Sequence, residues 1–457
     1  MKMKSINPST EEVVGEFDMA DRKQVIKAVN KSRKAFEQWS GKSLDERISI
    51  LRNAGNGIKN NKEDLSRLIA QEMGKIIKEA GEEVDEVVGE IEWFTTDGVK
   101  CLTTKQVELF DSKASLNFEP IGVVGVITPW NFPLSTPLWK IIPALLTGNT
   151  VVWKPAEQVP FVSNKIHEIF LSSGVPEEVF ALLIGDETTG KYLIDSKIDM
   201  LCFTGSSEVG KKVASKSGKK LRKFVLELGG SDPFIVLKDV DIEKAVEGAV
   251  IGRLYACGQC CTAAKRFLVH ESIVKEFTEK LVEKFRKMKI GDPMDSSTEL
   301  GPLVSKEQLD NLEKQVKDAV DKGANLLCGG KRPENIKGYF YEPTLFNNVN
   351  KKMKILTEEV FGPIAPIMTF KTTKHAIKLA NDTKYGLGAS IWTNNIEEGK
   401  EIASQIKSGM VWINNVNFPY PQCPWGGVKE SGIGKELSEY GVLEFVNIKP
   451  VIAKNHL

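Results

Sequence analysis

Between residues about 20 and 100, apolar positions recur at three- and four-residue spacing. The segments "RKQVIKAVNKSRKAFEQWS" and "DERISILRNAGNGIKNNKEDLSRLIAQEMGK" show it best, and it predicts a run of amphipathic helices. From about residue 117 the texture changes to short apolar runs separated by helical patterns: "IGVVGVIT", "NTVVWKP", "VFALLIG", "DMLCFTG" and "KFVLELGG". Continuous apolar strands alternating with helices predict a parallel sheet covered on both faces. A second series follows after about residue 230, with "PFIVL", "RFLVH", "PIAPIMTF", "ASIWT" and "GMVWIN". The expectation is two α/β domains in sequence, with a helical N-terminal section packed on the first. Two segments, "VELFDSKASLNFEPIG" and "LEFVNIKPVIAK", read as strands without helical partners. Exposed strands of this kind predict pairing between subunits, and hence a homo-oligomer.

Composition narrows the function more than the fold. A chain of 457 residues exceeds one ordinary core, so two or three domains are expected. No apolar run reaches the ~18–20 residues of a membrane helix. The start, "MKMKSINPSTEEVVGEF", shows no apolar signal core, so the expected location is cytoplasmic. With 62 basic and 61 acidic residues interspersed, the net charge is +1, and nothing resembles a nucleic-acid footprint. The basic stretch "KSGKKLRK" reads as a solvated helix face. Seven cysteines are scattered along the chain, an odd count that does not suit a disulfide framework. The four histidines, His167, His270, His375 and His456, stand in no metal-ligand or triad spacing, and no metal site is expected. What remains is cysteine chemistry without a histidine partner.

The turns after the strands of the first series are where an open parallel sheet binds ligands. "FTGSSEVG" runs from strand into helix, and its Gly205 and Ser206 suit either a tight turn or a pyrophosphate cradle. "VVWKPAEQVP" sets Lys154 and Glu157 beyond another strand, as a surface ion pair or as partners of ribose hydroxyls. A carboxylate there would repel a 2′-phosphate, which favours NAD over NADP if a dinucleotide binds. In "TPWNFP", Asn131 is either a turn residue or an amide donor for a developing oxyanion. In "LELGG", Glu227 ends an apolar strand, where a carboxylate is either exposed or a base held by apolar walls. "GQCCTAAKR" places Cys260 and Cys261 side by side, in a chain with no second cysteine pair to complete a zinc site.

Taken in order, "TPWNFP", "KPAEQVP", "FTGSSEVG", "LELGG", "GQCC", "EEVFGP" and "PWGGVKESGIGKELSEYG" resemble the aldehyde dehydrogenase superfamily over essentially the whole chain. The resemblance implies an aldehyde dehydrogenase-like α/β fold. A Rossmann-type NAD(P)-binding domain would span 1–100 and 121–229, a catalytic domain 230–435, and oligomerisation strands 101–120 and 443–457. It also implies a homodimer or homotetramer acting on a small-molecule aldehyde, with NAD as cofactor and NADP possible. The fourth residue of the family's G-Q-x-C motif is the nucleophile, here Cys261. Glu227 matches the general base, Asn131 the oxyanion asparagine and Glu436 a second, proton-relaying carboxylate. Thr128, Trp130, Lys154, Glu157, Gly185, Gly205 and Ser206 match cofactor contacts, and Glu359 and Phe361 the residues that position the nicotinamide ribose. The implied chemistry is a Cys261 thiohemiacetal, hydride transfer, and hydrolysis of the thioester by water activated at Glu227. Ala256 departs from the usual Asn of the family, and Trp425 stands where Phe is common. Pattern similarity is strongest to short succinate-semialdehyde dehydrogenases. Phe132, Trp139 and Trp425, however, imply an aromatic channel with no arginine for a terminal carboxylate. A short aliphatic or hydroxy-aldehyde is therefore expected, with succinate semialdehyde as the alternative. An inactive binding homologue is the reading of a different class.

Overall fold

The computed structural model describes residues 2–110, 112–416 and 418–454. The sequence expectations at 111 and 455–457, and Asn417 of the segment before Trp425, lie outside the described residues. Helices Arg22–Ser40, Leu44–Asn60, Lys62–Met73 and Ile77–Thr96 form the N-terminal section. The first two begin in capping boxes, Asp21 with Gln24 and Ser43 with Glu46, each satisfying amide donors that helix starts leave open. No described helix is long and apolar enough to cross a membrane.

The first series of apolar runs folds into a six-stranded sheet. Its order is Gly432–Ile433, Lys223–Glu227, Met200–Thr204, Val123–Ile127, Thr150–Lys154, Phe180–Leu182. All neighbours are parallel except the two-residue strand Gly432–Ile433, which joins the edge antiparallel ahead of residue 435. Alternation within each run sends successive side chains to opposite faces. Val124, Val126, Val151, Trp153, Met200 and Cys202 enter the core beneath the N-terminal helices. Val123, Ile127, Val152, Leu201 and Phe203 enter the core on the other face. Burial on this scale, at about 1.5–3 kcal/mol per large apolar side chain, outweighs any local preference. Chain order reverses between Val123–Ile127 and Met200–Thr204, which opens a crevice at their carboxyl ends.

The second series forms a seven-stranded sheet: Asn325–Cys328, Thr344–Asn347, Ile364–Phe370, Ala264–His270, Asp232–Val236, Ser390–Trp392, Trp412–Ile413. Only Asn325–Cys328 is antiparallel. Four residues, Leu228 to Ser231, join the carboxyl end of Lys223–Glu227 to the amino end of Asp232–Val236. The carboxyl edge of the first sheet therefore meets the amino edge of the second.

The two segments without helical partners pair with each other. Val446–Ala453 runs antiparallel to Lys113–Pro120 along its full length, and Lys105–Glu108 adds a third strand. Among the described residues no strand pairs with either outer edge of this small sheet, and Val107, Ile448, Val451 and Ile452 are exposed on it.

Candidate active site

The turn that carries the cysteine pair is conformationally costly. After helix Ile242–Leu254, three successive residues adopt positive φ: Ala256 at 52°, Cys257 at 57° and Gly258 at 70°. A left-handed conformation costs roughly 1–2 kcal/mol at each of the two residues bearing a Cβ. Buried groups hold the turn in place. Glu79 accepts the Ala256 N–H at 3.0 Å, and the Gln259 side chain donates to the Ala256 carbonyl at 3.1 Å. The Gln259 carbonyl oxygen Oε1 accepts the Val304 N–H at 2.8 Å. Arg253, fully buried, donates to the carbonyls of Gly258, Ala264, Val360 and Gly362. A Cβ at Gly258 would stand 2.5 Å from the Gly362 carbonyl oxygen, so the Gly-Gln pair of the motif is structural.

Cys260 and Cys261 both face a cavity of about 500 Å³ between the two sheets. The Thr262 hydroxyl lies 3.4 Å from the Cys260 sulfur, and the two neighbouring thiols titrate as a pair. The pair therefore releases its first proton readily. Cys260 is held down to about 6 by the neighbouring Cys261 thiol, while Cys261 is pushed up by Cys260 and by burial. Asn131, buried on the same cavity, donates one amide hydrogen to the Gln259 carbonyl at 3.0 Å and keeps the second.

Glu227 lies behind the cavity wall. Its Oε1 accepts the Gly427 N–H at 3.3 Å, and its Oε2 is buried with no partner among the described residues. Burial raises its pKa well above the usual carboxylate range. The nearby Glu436 adds to the rise, and Lys140 opposes it. Glu436 pairs with Lys140 at 2.6 Å, and both are buried. Lys140 escapes a sequence reading because it sits within "PLWKIIPALL", a helix buried all round. A lysine in such a run is itself the available signal, since it needs a buried acid.

The carboxyl edge of the first sheet gathers most of the remaining motif residues. Gly205 donates its N–H to the Glu227 carbonyl at 3.0 Å. Ser206 caps helix Ser207–Lys219, accepting the Val209 N–H. Trp130 packs edge-on against Phe361, with ring centroids 5.6 Å apart. Glu359 accepts the Gly230 N–H at 2.9 Å and lies 3.3 Å from the Lys265 ammonium. Trp130, Gly205, Ser206, Glu359 and Phe361 all line the cavity. Thr128, Lys154, Glu157 and Gly185 do not. The Thr128 hydroxyl accepts the Trp153 indole N–H at 2.9 Å, and Lys154 reaches Glu157 at 3.7 Å, further along the same edge. Gly185 is packed against Thr189, which a Cβ would meet at 2.1 Å.

Phe132, Trp139 and Trp425 line the cavity as expected, with Tyr255, Phe418 and Glu86 beside them. Trp139 and Trp425 meet edge-on at 5.3 Å, and Phe132 stacks on Tyr255 at 6.1 Å. Glu86 belongs to a row on helix Ile77–Thr96: Glu79, Glu83, Glu86 and Glu90 stand three or four apart and share one face. Three of them have fixed partners. Glu79 holds the nucleophile turn, Glu83 accepts from Leu134 N–H, Ser135 N–H and Lys75, and Glu90 accepts the Trp139 indole N–H at 2.7 Å. Glu86 makes no hydrogen bond or ion pair among the described residues. Burial, then Glu83, push it up to about 7. In sequence this row looks like a solvated acidic face; only its position beside Ala80, Val84, Val87 and Ile91 hints that it turns inward.

The profile of the aldehyde dehydrogenase family matches residues 1–451. The betaine aldehyde dehydrogenase of Bacillus subtilis (strain 168) is 38% identical over 457 residues, covering 98% of this chain and 93% of the relative. The succinate semialdehyde dehydrogenase [NAD(P)+] Sad of Escherichia coli (strain K12) is 37% identical over 448 residues, covering 98% and 97%. Among solved structures, the betaine aldehyde dehydrogenase of Staphylococcus aureus in complex with NAD+ superposes with a TM-score of 0.97. It is 34% identical and covers 100% of this chain and 92% of that one.

Proposed function

The chain belongs to the aldehyde dehydrogenase family, and from that premise we propose that it oxidises a short, positively charged aldehyde to its acid. An ω-amino or trimethylammonio aldehyde fits this description. The observation that carries the charge is Glu86, an unpaired carboxylate among aromatic rings whose faces attract cations. Relatives named for cationic and for anionic aldehydes are almost equally similar, so identity does not decide between them. The channel chemistry favours the cation. An anionic tail would meet Glu86, and the nearby cation Lys75, 3.8 Å above the Phe132 ring, is already paired with Glu83 at 2.6 Å. The substrate remains within the short aldehydes that the sequence indicates; the structure supports a sign for its far end.

In this reading the Cys261 thiolate attacks the aldehyde carbon, and the oxyanion is met by the free Asn131 amide hydrogen and the Cys261 N–H. A nicotinamide dinucleotide, when bound, accepts the hydride. The residues suit that group: the first-turn amides of helix Ser207–Lys219 with Gly205 and Ser206 for the pyrophosphate, and Lys154 and Glu157 for the adenosine ribose. Thr128, Trp130 and Gly185 lie along the same edge, and Glu359 and Phe361, which line the cavity, would hold the nicotinamide ribose. Glu227 takes the proton from the water that hydrolyses the thioester, and Glu436 with Lys140 passes it on through the protein. NAD is favoured over NADP by the Glu157 carboxylate.

The test is NADH formation across cationic, neutral and anionic aldehydes, with NAD+ and NADP+, in the wild type and in Glu86→Gln. The variant is expected to raise KM for the cationic aldehyde by about tenfold, one pKa unit's worth of interaction, and to leave neutral aldehydes unaffected. Because Glu86 is raised to about 7, it loses charge as pH falls through that value, so wild-type KM for the cation should climb between pH 8 and pH 6. A flat profile, or a preference for succinate semialdehyde, would overturn the assignment.

We also propose a cytoplasmic homo-oligomer built through the outer edges of the three-stranded sheet. Support comes from the exposed apolar residues Val107, Ile448, Val451 and Ile452. Light scattering coupled to size exclusion should give a dimer or tetramer mass; a monomer at micromolar concentration removes this proposal.

A further inference from the structure

Lys265 is 1% exposed, four residues beyond the nucleophile, and the reaction described above gives it no part. Its ammonium donates to the Cys260 carbonyl at 3.0 Å and to the Cys261 carbonyl at 2.6 Å, and it pairs with Glu359 at 3.3 Å. We propose that Lys265 is a positioning residue for the oxyanion site: by gripping the Cys260 carbonyl, it aims and strengthens the Cys261 N–H as a donor.

The argument rests on Cys261 being the nucleophile, and on the geometry of one peptide group. In a planar trans peptide the carbonyl and the N–H point in opposite directions. The N–H opposite the Cys260 carbonyl is that of Cys261. Fixing the oxygen on the buried ammonium therefore fixes the hydrogen on the opposite side. The Cys261 N–H makes no hydrogen bond among the described residues, so it remains free to meet an oxyanion. A charged donor on the carbonyl also polarises the amide and makes its N–H a better donor. An ammonium has three hydrogens, and three acceptors receive them, which leaves Lys265 no capacity to shuttle protons. The other charged groups nearby are consistent with a fixed cation. Glu359 pairs with it, and Asp232 is a buried acid whose carboxyl Lys265 helps hold down against burial. The next residue, Arg266, turns away to the carbonyls of Ser231, Leu379 and Ala380.

Two reactions of Cys261 separate this role from a general structural one. With p-nitrophenyl acetate and no cofactor, the thiolate forms a C–S bond to the acyl carbon through an oxyanion. p-Nitrophenolate then leaves, and water releases acetate. With iodoacetamide the thiolate displaces iodide at a saturated carbon, and no oxyanion forms. In the full-length enzyme, Lys265→Met is expected to slow ester acylation about 10²-fold, the loss typical of an oxyanion donor. Because Lys265 lowers both thiols, the Met variant should alkylate at higher pH, but its plateau rate with iodoacetamide, assigned to Cys261 by fragment mass and compared with the plateau rate of acylation, should stay within about twofold of wild type. Lys265→Gln, which keeps an N–H donor but no charge, should fall between, and it supplies the same comparison if the Met variant does not fold. Equal slowing of the two plateau rates, or an unchanged plateau rate of acylation, overturns the proposal. Cys261→Ala run alongside distinguishes the two failures. If it still turns over the ester, the nucleophile assignment is wrong; if it is inert while Lys265→Met matches wild type, only the role of Lys265 is.

Discussion

Cys261→Ala is expected to lower NADH formation by at least about 10⁴-fold, as removal of a nucleophile does elsewhere, while Cys260→Ala keeps most of the activity. The contrast is demanding because both sulfurs face the same cavity and titrate as a pair. What separates them is the peptide framework. The Cys261 N–H is free at the cavity, and the remaining Asn131 hydrogen lies close by because Asn131 is anchored to the Gln259 carbonyl. Removing Cys260 also removes the neighbouring thiol whose charged form opposes ionisation of Cys261, so that variant should alkylate at lower pH than wild type. Steady-state rates for both variants, with the alkylation profile of Cys260→Ala, check the assignment. Activity lost with Cys260 and kept without Cys261 would reverse it.

Glu227→Gln should leave acylation intact and stop the enzyme at the thioester. A burst of NADH equal to the active sites is expected, followed by turnover about 10²–10⁴-fold slower, the range for loss of a general base. The pH dependence carries a sign. Burial and Glu436 raise the Glu227 pKa, so the carboxyl stays protonated until pH climbs through that raised value. Wild-type thioester hydrolysis should therefore rise with pH, and the Gln variant should lose this limb. Rapid-quench measurement of the burst and of the steady state resolves both steps. A missing burst would place Glu227 before hydride transfer.

Much of the architecture was readable because apolar runs such as "GVVGVI" and "DMLCFT" have one use in a chain this long, as strands buried on both faces. The motif residues after those strands, Asn131, Ser206 and Glu227, were locatable for the same reason: a switch in chain order puts a crevice there. Cys261, Glu359 and Phe361 follow no such rule. They precede strands of the second sheet, and their place in the site depends on the meeting of two sheet edges, which no local pattern encodes. Glu86 and Lys265 were missed for a different reason. Each is a common charged residue in an unremarkable local context, and its meaning comes from what it does or does not touch across the fold. The segments "VELFDSKASLNFEPIG" and "LEFVNIKPVIAK" read as strands lacking helical partners, but that they pair with each other is a long-range fact.

The short link between the sheets has a consequence for how freely this enzyme can be redesigned. Neither Gly229 nor Gly230 has a positive φ, so their backbone would accept any residue. The obstacle is space: a Cβ at Gly229 would stand 2.4 Å from a Glu359 oxygen, and one at Gly230 would stand 2.5 Å from the Cys261 carbonyl oxygen. A single added methyl group at either position would displace a group of the reaction centre without touching substrate. Saturation libraries aimed at new aldehydes have nothing to gain at these two positions, and their room on helix Ile77–Thr96 lies at Glu86, which lines the cavity without a fixed partner among the described residues.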